Sequence, residues 1–122
     1  MKTNALMKFC YDESDGSIPA KSFLLSLDTE MRAKAMSVIL LLRDNGYGMC
    51  QRFVEEGFAD RLNALIIPAD DDTTIVIPYF LDEFPDGVVE YALVGGFIRK
   101  GEVNPKNEIR KAQRIIDDYL DA

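Results

Sequence analysis

From Val88 to Ile98 the chain reads as a strand, rich in β-branched and aromatic residues, with Gly95-Gly96 inside it. Adjacent glycines in a strand mark a bulge or a close backbone approach. A loop, Arg99-Lys100-Gly101, follows, and Asn104-Pro105 then opens a helix. The short Asn side chain caps free N–H groups, and the fixed φ of Pro suits the first helical position. Ile109, Ala112, Ile116, Tyr119 and Leu120 recur at helical spacing down to the end. Val89–Ala122 therefore reads as a strand leading into a capped C-terminal helix, and hairpin-like spacing between the last strands argues for an antiparallel sheet with helices packed against it.

The rest of the chain fits one such domain spanning residues 1–122. Lys8–Tyr11 is a short first strand, and Asp12, Asp15, Gly16 and Ser17 make a turn. Pro19 starts a helix to about Ser26. Asp28 caps the next one, about Thr29–Arg43, which Asn45, Gly46 and Gly48 stop. The run Val38–Leu42 is apolar nearly all round, which predicts a helix sandwiched between layers. Gln51–Glu56 reads as one more helical turn, broken by Gly57. Leu62–Ile67 and Thr73–Leu81 read as strands around an acidic turn, Asp70–Asp72. Pro78 cannot donate to a ladder, so an edge, bulge or break is expected there. The expectation is an α+β fold: a small antiparallel sheet with an N-terminal helical pair and a C-terminal helix, in the order β-α-α-β-β-β-α.

Composition narrows the chemistry. The chain has no histidine, which removes the commonest general base and zinc ligand, and with them any Ser-His or Cys-His pair. Cys10 and Cys50 lie far apart with no CxxC spacing and read as reduced thiols. Asp70-Asp71-Asp72 cannot all converge on one ion and lack calcium-loop spacing, so no metal and no cofactor are expected. Asp82, Glu83 and Asp86 are turn acids, and Tyr79 and Tyr91 are packing aromatics. No apolar run is long enough for a membrane helix and no secretory leader is apparent, so a cytoplasmic protein without membrane contact is expected. The net charge of −7 repels phosphate backbones at long range and favours a basic partner.

Three ordered stretches resemble the RelE/HigB superfamily of toxin components of type II toxin–antitoxin systems, in particular its phage-related HigB-like branch. Ser22-Phe23-Leu24-Leu25-Ser26-Leu27 with Met31-Arg32-Ala33-Lys34-Ala35 is similar to that branch's helical pair. Tyr79-Phe80-Leu81-Asp82-Glu83 is similar to its central strand end. Gly96-Phe97-Ile98-Arg99-Lys100 with Asn104-Pro105-Lys106-Asn107-Glu108-Ile109 is similar to its terminus. The resemblance implies a metal-free endoribonuclease that inhibits translation as an mRNA interferase. It implies a cognate antitoxin protein as partner, and mRNA on the ribosome as target. Such chemistry needs cations that hold the phosphate and stabilise charge developing on it. Arg99 and Lys100 stand where the likeness places its basic pair and are the candidate catalytic residues. Arg52, Arg61 and Lys106 are the candidate RNA contacts. Arg110, Lys111 and Arg114, beside Glu108, Asp117 and Asp118, read as a mixed solvated face.

The likeness also shows where this chain differs. Ile66 stands at the position of the family's strand-end arginine, Ile75-Val76 at its Tyr-Arg pair, and Gly95 at its usual histidine. No Lys or Arg occurs between Arg61 and Arg99, an interval that holds Asp70, Asp71, Asp72, Asp82, Glu83, Asp86 and Glu90. A second reading follows: a toxin-fold protein that has lost the chemistry and serves as a protein-binding module for a basic partner. The two readings leave open whether the chain is an enzyme.

Overall fold

Six strands form one mixed sheet in the computed structural model, which describes residues 5–46, 48, 51–70, 72–101 and 103–121. The strands are β1 (Ala5–Phe9), β2 (Val54–Ala59), β3 (Leu62–Pro68), β4 (Thr73–Glu83), β5 (Val89–Leu93) and β6 (Phe97–Lys100). The helices are α1 (Pro19–Ser26), α2 (Thr29–Asn45) and α3 (Lys106–Asp121). The α+β class and the order of helical pair, strands and terminal helix are as expected.

The sheet is richer than the sequence suggested. Its order is β1-β5-β4-β3-β2, with β6 also on β4. β1 runs parallel to β5, and the other pairs are antiparallel. The segment expected as a helical turn is a short 3₁₀ turn, Gln51–Phe53, that leads into β2. β2 hid from the pattern because Glu55 and Glu56 both face solvent on this edge strand, and its register shifts between Glu55 and Ala59. Gly57 sits in that irregular stretch at φ +65°, and its N–H donates to Asn63 Oδ1.

The run Val88–Ile98 is two strands on one edge of β4. Tyr79 pairs with Leu93 and Val76 pairs with Phe97. Between these pairs, Ile77-Pro78 faces Val94-Gly95-Gly96, so the second side carries one extra residue, which is a bulge. Pro78 lies opposite it: its carbonyl accepts from Val94 N–H at 3.1 Å, and its nitrogen has no proton to return. Gly96 also makes the close approach expected of it. A Cβ there would collide with the Phe23 ring.

Helices cover both faces. α1 and α2 lie on one, where Leu24, Ile39 and Leu42 meet Leu65, Ile77, Tyr79 and Leu93. α3 lies on the other, where Ala112, Ile115 and Ile116 meet Ala64, Val76, Ala92, Val94 and Phe97. The expectation that α2 is sandwiched is corrected. It is an outer layer with Leu40 39% exposed, and one face alone is buried. Its cap is as read: Asp28 Oδ1 accepts from Met31 N–H at 2.8 Å. Arg32 closes the end of α1 by donating to the carbonyls of Leu24, Leu25 and Leu27. α3 begins at Lys106, one residue later than the Asn-Pro signal indicated. No helix among the described residues is long and apolar enough to cross a membrane.

Candidate functional site

Side chains alternate across a sheet, so the face on which each candidate sits follows from its neighbours. Ile66, Val76 and Phe97 are laterally paired on three adjacent strands, and all three contribute to the α3-side core. Ile66 and Val76 are two of the positions where the resemblance places arginine. Here the patch is a continuous apolar ladder, with Val76 fully buried.

Arg99 lies two residues beyond Phe97 on β6, paired with Thr74, and therefore on the same face as that ladder. Its Nη1 donates to Asn104 Oδ1 at 3.1 Å. Its Nε is buried and has no hydrogen-bond partner among the described residues. The Asn104 expected to cap α3 thus spends its side-chain oxygen on Arg99. Lys100, the next residue, points to the opposite face and is exposed. Two consecutive residues in a strand cannot close on one phosphate, so the basic pair is split.

The other candidate cations lie elsewhere. Arg61 occupies the β2–β3 turn at φ +64°, and its Nη1 is 3.3 Å from Asp117 Oδ1 on α3. It sits at the opposite end of β3 from Pro68, which pairs with Thr74, so it is roughly 20 Å along the sheet from the level of Arg99. Arg52 is exposed on the 3₁₀ turn, with its guanidinium 4.7 Å from the Phe53 ring centroid. β4 and β3 separate β6 from the β2 edge it precedes, so Arg52 is set about 14 Å across the strands from Arg99. Lys106 is exposed in the first turn of α3, close to Asn104 in sequence. Of the five candidates, Arg99 alone is on the ladder's face and beside it.

The acidic groups are equally dispersed. Asp86 Oδ1 caps its own turn by accepting from Val88 N–H at 3.0 Å. Asp82 and Glu90 are directly opposite one another on β4 and β5, a like-charge pair. Glu90 accepts from Tyr119 Oη at 2.6 Å, and Lys8 Nζ sits 4.4 Å from the centroid of the same ring. The bond to Glu90, then burial, push the Tyr119 hydroxyl well above the usual phenol range, so it is held as a donor. Asp70 and Asp72 share a tight turn, while Asp71 lies outside the described residues, as does Cys50. No group of three His, Cys, Asp or Glu side chains among the described residues is placed to hold a metal ion. Tyr79 and Tyr91 stack edge to face at 5.8 Å, as packing aromatics do.

Two features escaped the sequence reading. Arg114, which the pattern places on a mixed solvated face, grips the buried carboxylate of Asp12 through Nη1 and Nη2. No pattern links residues so far apart in the chain. The second is a cleft of about 370 Å³ at the glycine bulge, between Pro19 and Ser22 of α1 and Glu108 and Lys111 of α3. Its lining holds one acid, one amine and hydroxyls, with no paired nucleophile and base.

No protein-family model, curated protein or solved structure matches this chain.

Proposed function

We propose that this chain is a divergent RelE/HigB-like protein that keeps the toxin scaffold, no longer cuts RNA and acts by binding a basic protein. The observation that carries this reading is the Ile66–Val76–Phe97 ladder, apolar at Ile66 and Val76, where the resemblance calls for cations. Removing one preorganised donor from a transition state typically costs about two to three orders of magnitude in rate. Here two are replaced by aliphatic side chains, and the retained basic pair diverges across the strand. The net charge of −7 supports a cationic protein as partner and works against an RNA backbone.

The reading of an active mRNA interferase toxin, with a cognate antitoxin, has one observation in its favour. Arg99 remains on the ladder's face with its Nε unsatisfied. Inducing the chain alone in a bacterial host separates the two. A non-cleaving module leaves growth and transcript ends unchanged, and the purified protein binds a lysine-rich peptide with a salt-sensitive affinity. Growth arrest with newly cleaved transcripts, both abolished by Arg99→Ala, would establish the active toxin instead.

A further inference from the structure

Among the described residues the sheet ends at β1, with no strand on its outer edge. Cys10 N–H is spent on Leu93 O, so alternation turns the amides of Phe9, Met7 and Ala5 outward. Natural edges are commonly blunted by proline, a bulge or an outward charge. β1 has neither proline nor bulge, and its one charged residue, Lys8, leans over the Tyr119 ring. Large apolar side chains stand exposed around this edge: Leu6 is 52% exposed, Tyr11 58% and Leu25 61%.

On the α1–α2 face, charge of opposite sign flanks β1, although the loop leaving its Phe9 end also carries the exposed acids Glu13 and Asp15. Beside Phe9, an apolar groove of about 510 Å³ opens over α1 and α2, and its charged lining residues are both cations, Lys21 and Arg32. At the other end Ala5 pairs with Val89, just after the β4–β5 hairpin tip. That tip carries Glu83, an exposed Phe84 and Asp86. An antiparallel match of β1 with another β1 about Met7 sets the Phe9 end of each copy against the Ala5 end of the other. The cationic groove of one copy then meets the acidic, Phe84-bearing hairpin of its mate, twice, about a two-fold axis.

We propose that β1 is the seam of a symmetric homodimer, in which two copies join their sheets edge to edge. The outward amides of Ala5, Met7 and Phe9 supply the hydrogen bonds. Lys21 and Arg32 facing the Glu83–Asp86 hairpin supply the register.

Sedimentation equilibrium from micromolar to millimolar protein, with hydrogen exchange of the β1 amides at each concentration, tests it. A monomer–dimer equilibrium is expected, with the amides of Ala5, Met7 and Phe9 slowing as dimer forms. Lys21→Glu and Glu83→Lys, both at exposed positions, should each weaken the dimer about tenfold, and the double variant should recover it. Circular dichroism melts check that each variant is folded. A monomer throughout, a dimer whose β1 amides stay fast, or single variants that leave the dimer untouched would each overturn the proposal.

Discussion

Arg114 in α3 holds both carboxylate oxygens of Asp12, at 2.9 and 2.8 Å, across 102 residues of chain. Asp12 is 1% exposed, and Ser14 donates to the same carboxylate from its own backbone and hydroxyl. The pair pins the loop between β1 and α1 to the terminal helix. Asp12→Ala removes a set of charge-assisted hydrogen bonds worth about 2 kcal/mol in total. Arg114→Ala should cost more, because it strands a buried carboxylate without its counter-charge. Urea midpoints of both variants test this, and midpoints equal to the parent's would show that the pair contributes nothing.

The same contact sets an acid limit. Hydrogen bonds from Arg114 and then Ser14 hold the Asp12 carboxyl well below the usual carboxylate range. Its folded-state value is thus below its unfolded one. The contribution is therefore complete above about pH 5 and is lost progressively as pH falls below about 4, where the unfolded state takes up the proton first. The parent's urea midpoint should drop between pH 6 and pH 3 more steeply than that of Asp12→Asn. Parallel curves would remove Asp12 from the acid sensitivity.

Gly96 and Phe23 occupy each other's space. A methyl group on Gly96 would have to displace the aromatic ring that locks α1 to the bulge. Gly96→Ala should destabilise by about 1–3 kcal/mol, as overpacking does. In the Phe23→Ala background the same change should cost much less, a coupling that a double-mutant cycle reads directly. Additive losses would place the strain elsewhere.

Cys10 is buried, and that burial pushes its thiol up to about 11. Little thiolate exists at neutral pH, and the thiolate is the reactive species. Alkylation of the peptide that carries Cys10, followed by mass spectrometry, should be slow in the native protein and fast in denaturant. Rapid native labelling would mean that β1 and α3 open readily.

What the sequence could and could not reveal follows from the range of each interaction. The caps of α2, the stripe of α3 and the Gly95-Gly96 bulge are local signals, and the bulge announced itself twice, through the glycines and through Pro78 on the facing strand. β2 escaped because its two glutamates and Gly57 erase the alternation that marks a strand. The parallel seating of β1 on β5 leaves no trace in either strand's own composition. At the candidate site, Arg99 and Lys100 looked like a pair because they are adjacent in sequence. Adjacency in a strand means opposite faces, and Arg61 is committed to Asp117, a partner no local pattern could name.

The parallel seam between β1 and β5 has a kinetic corollary. Ala5 must find Val89, about eighty residues later, after every intervening helix and hairpin has been made. On a ribosome β1 emerges long before its place exists and is among the last strands of the sheet to be seated, since that place waits for β5. Until then its apolar side chains, Leu6, Met7 and Phe9, stay available to anything nearby that offers a strand edge. The nascent chain should be most prone to misassociation after β1 appears and before β5 does.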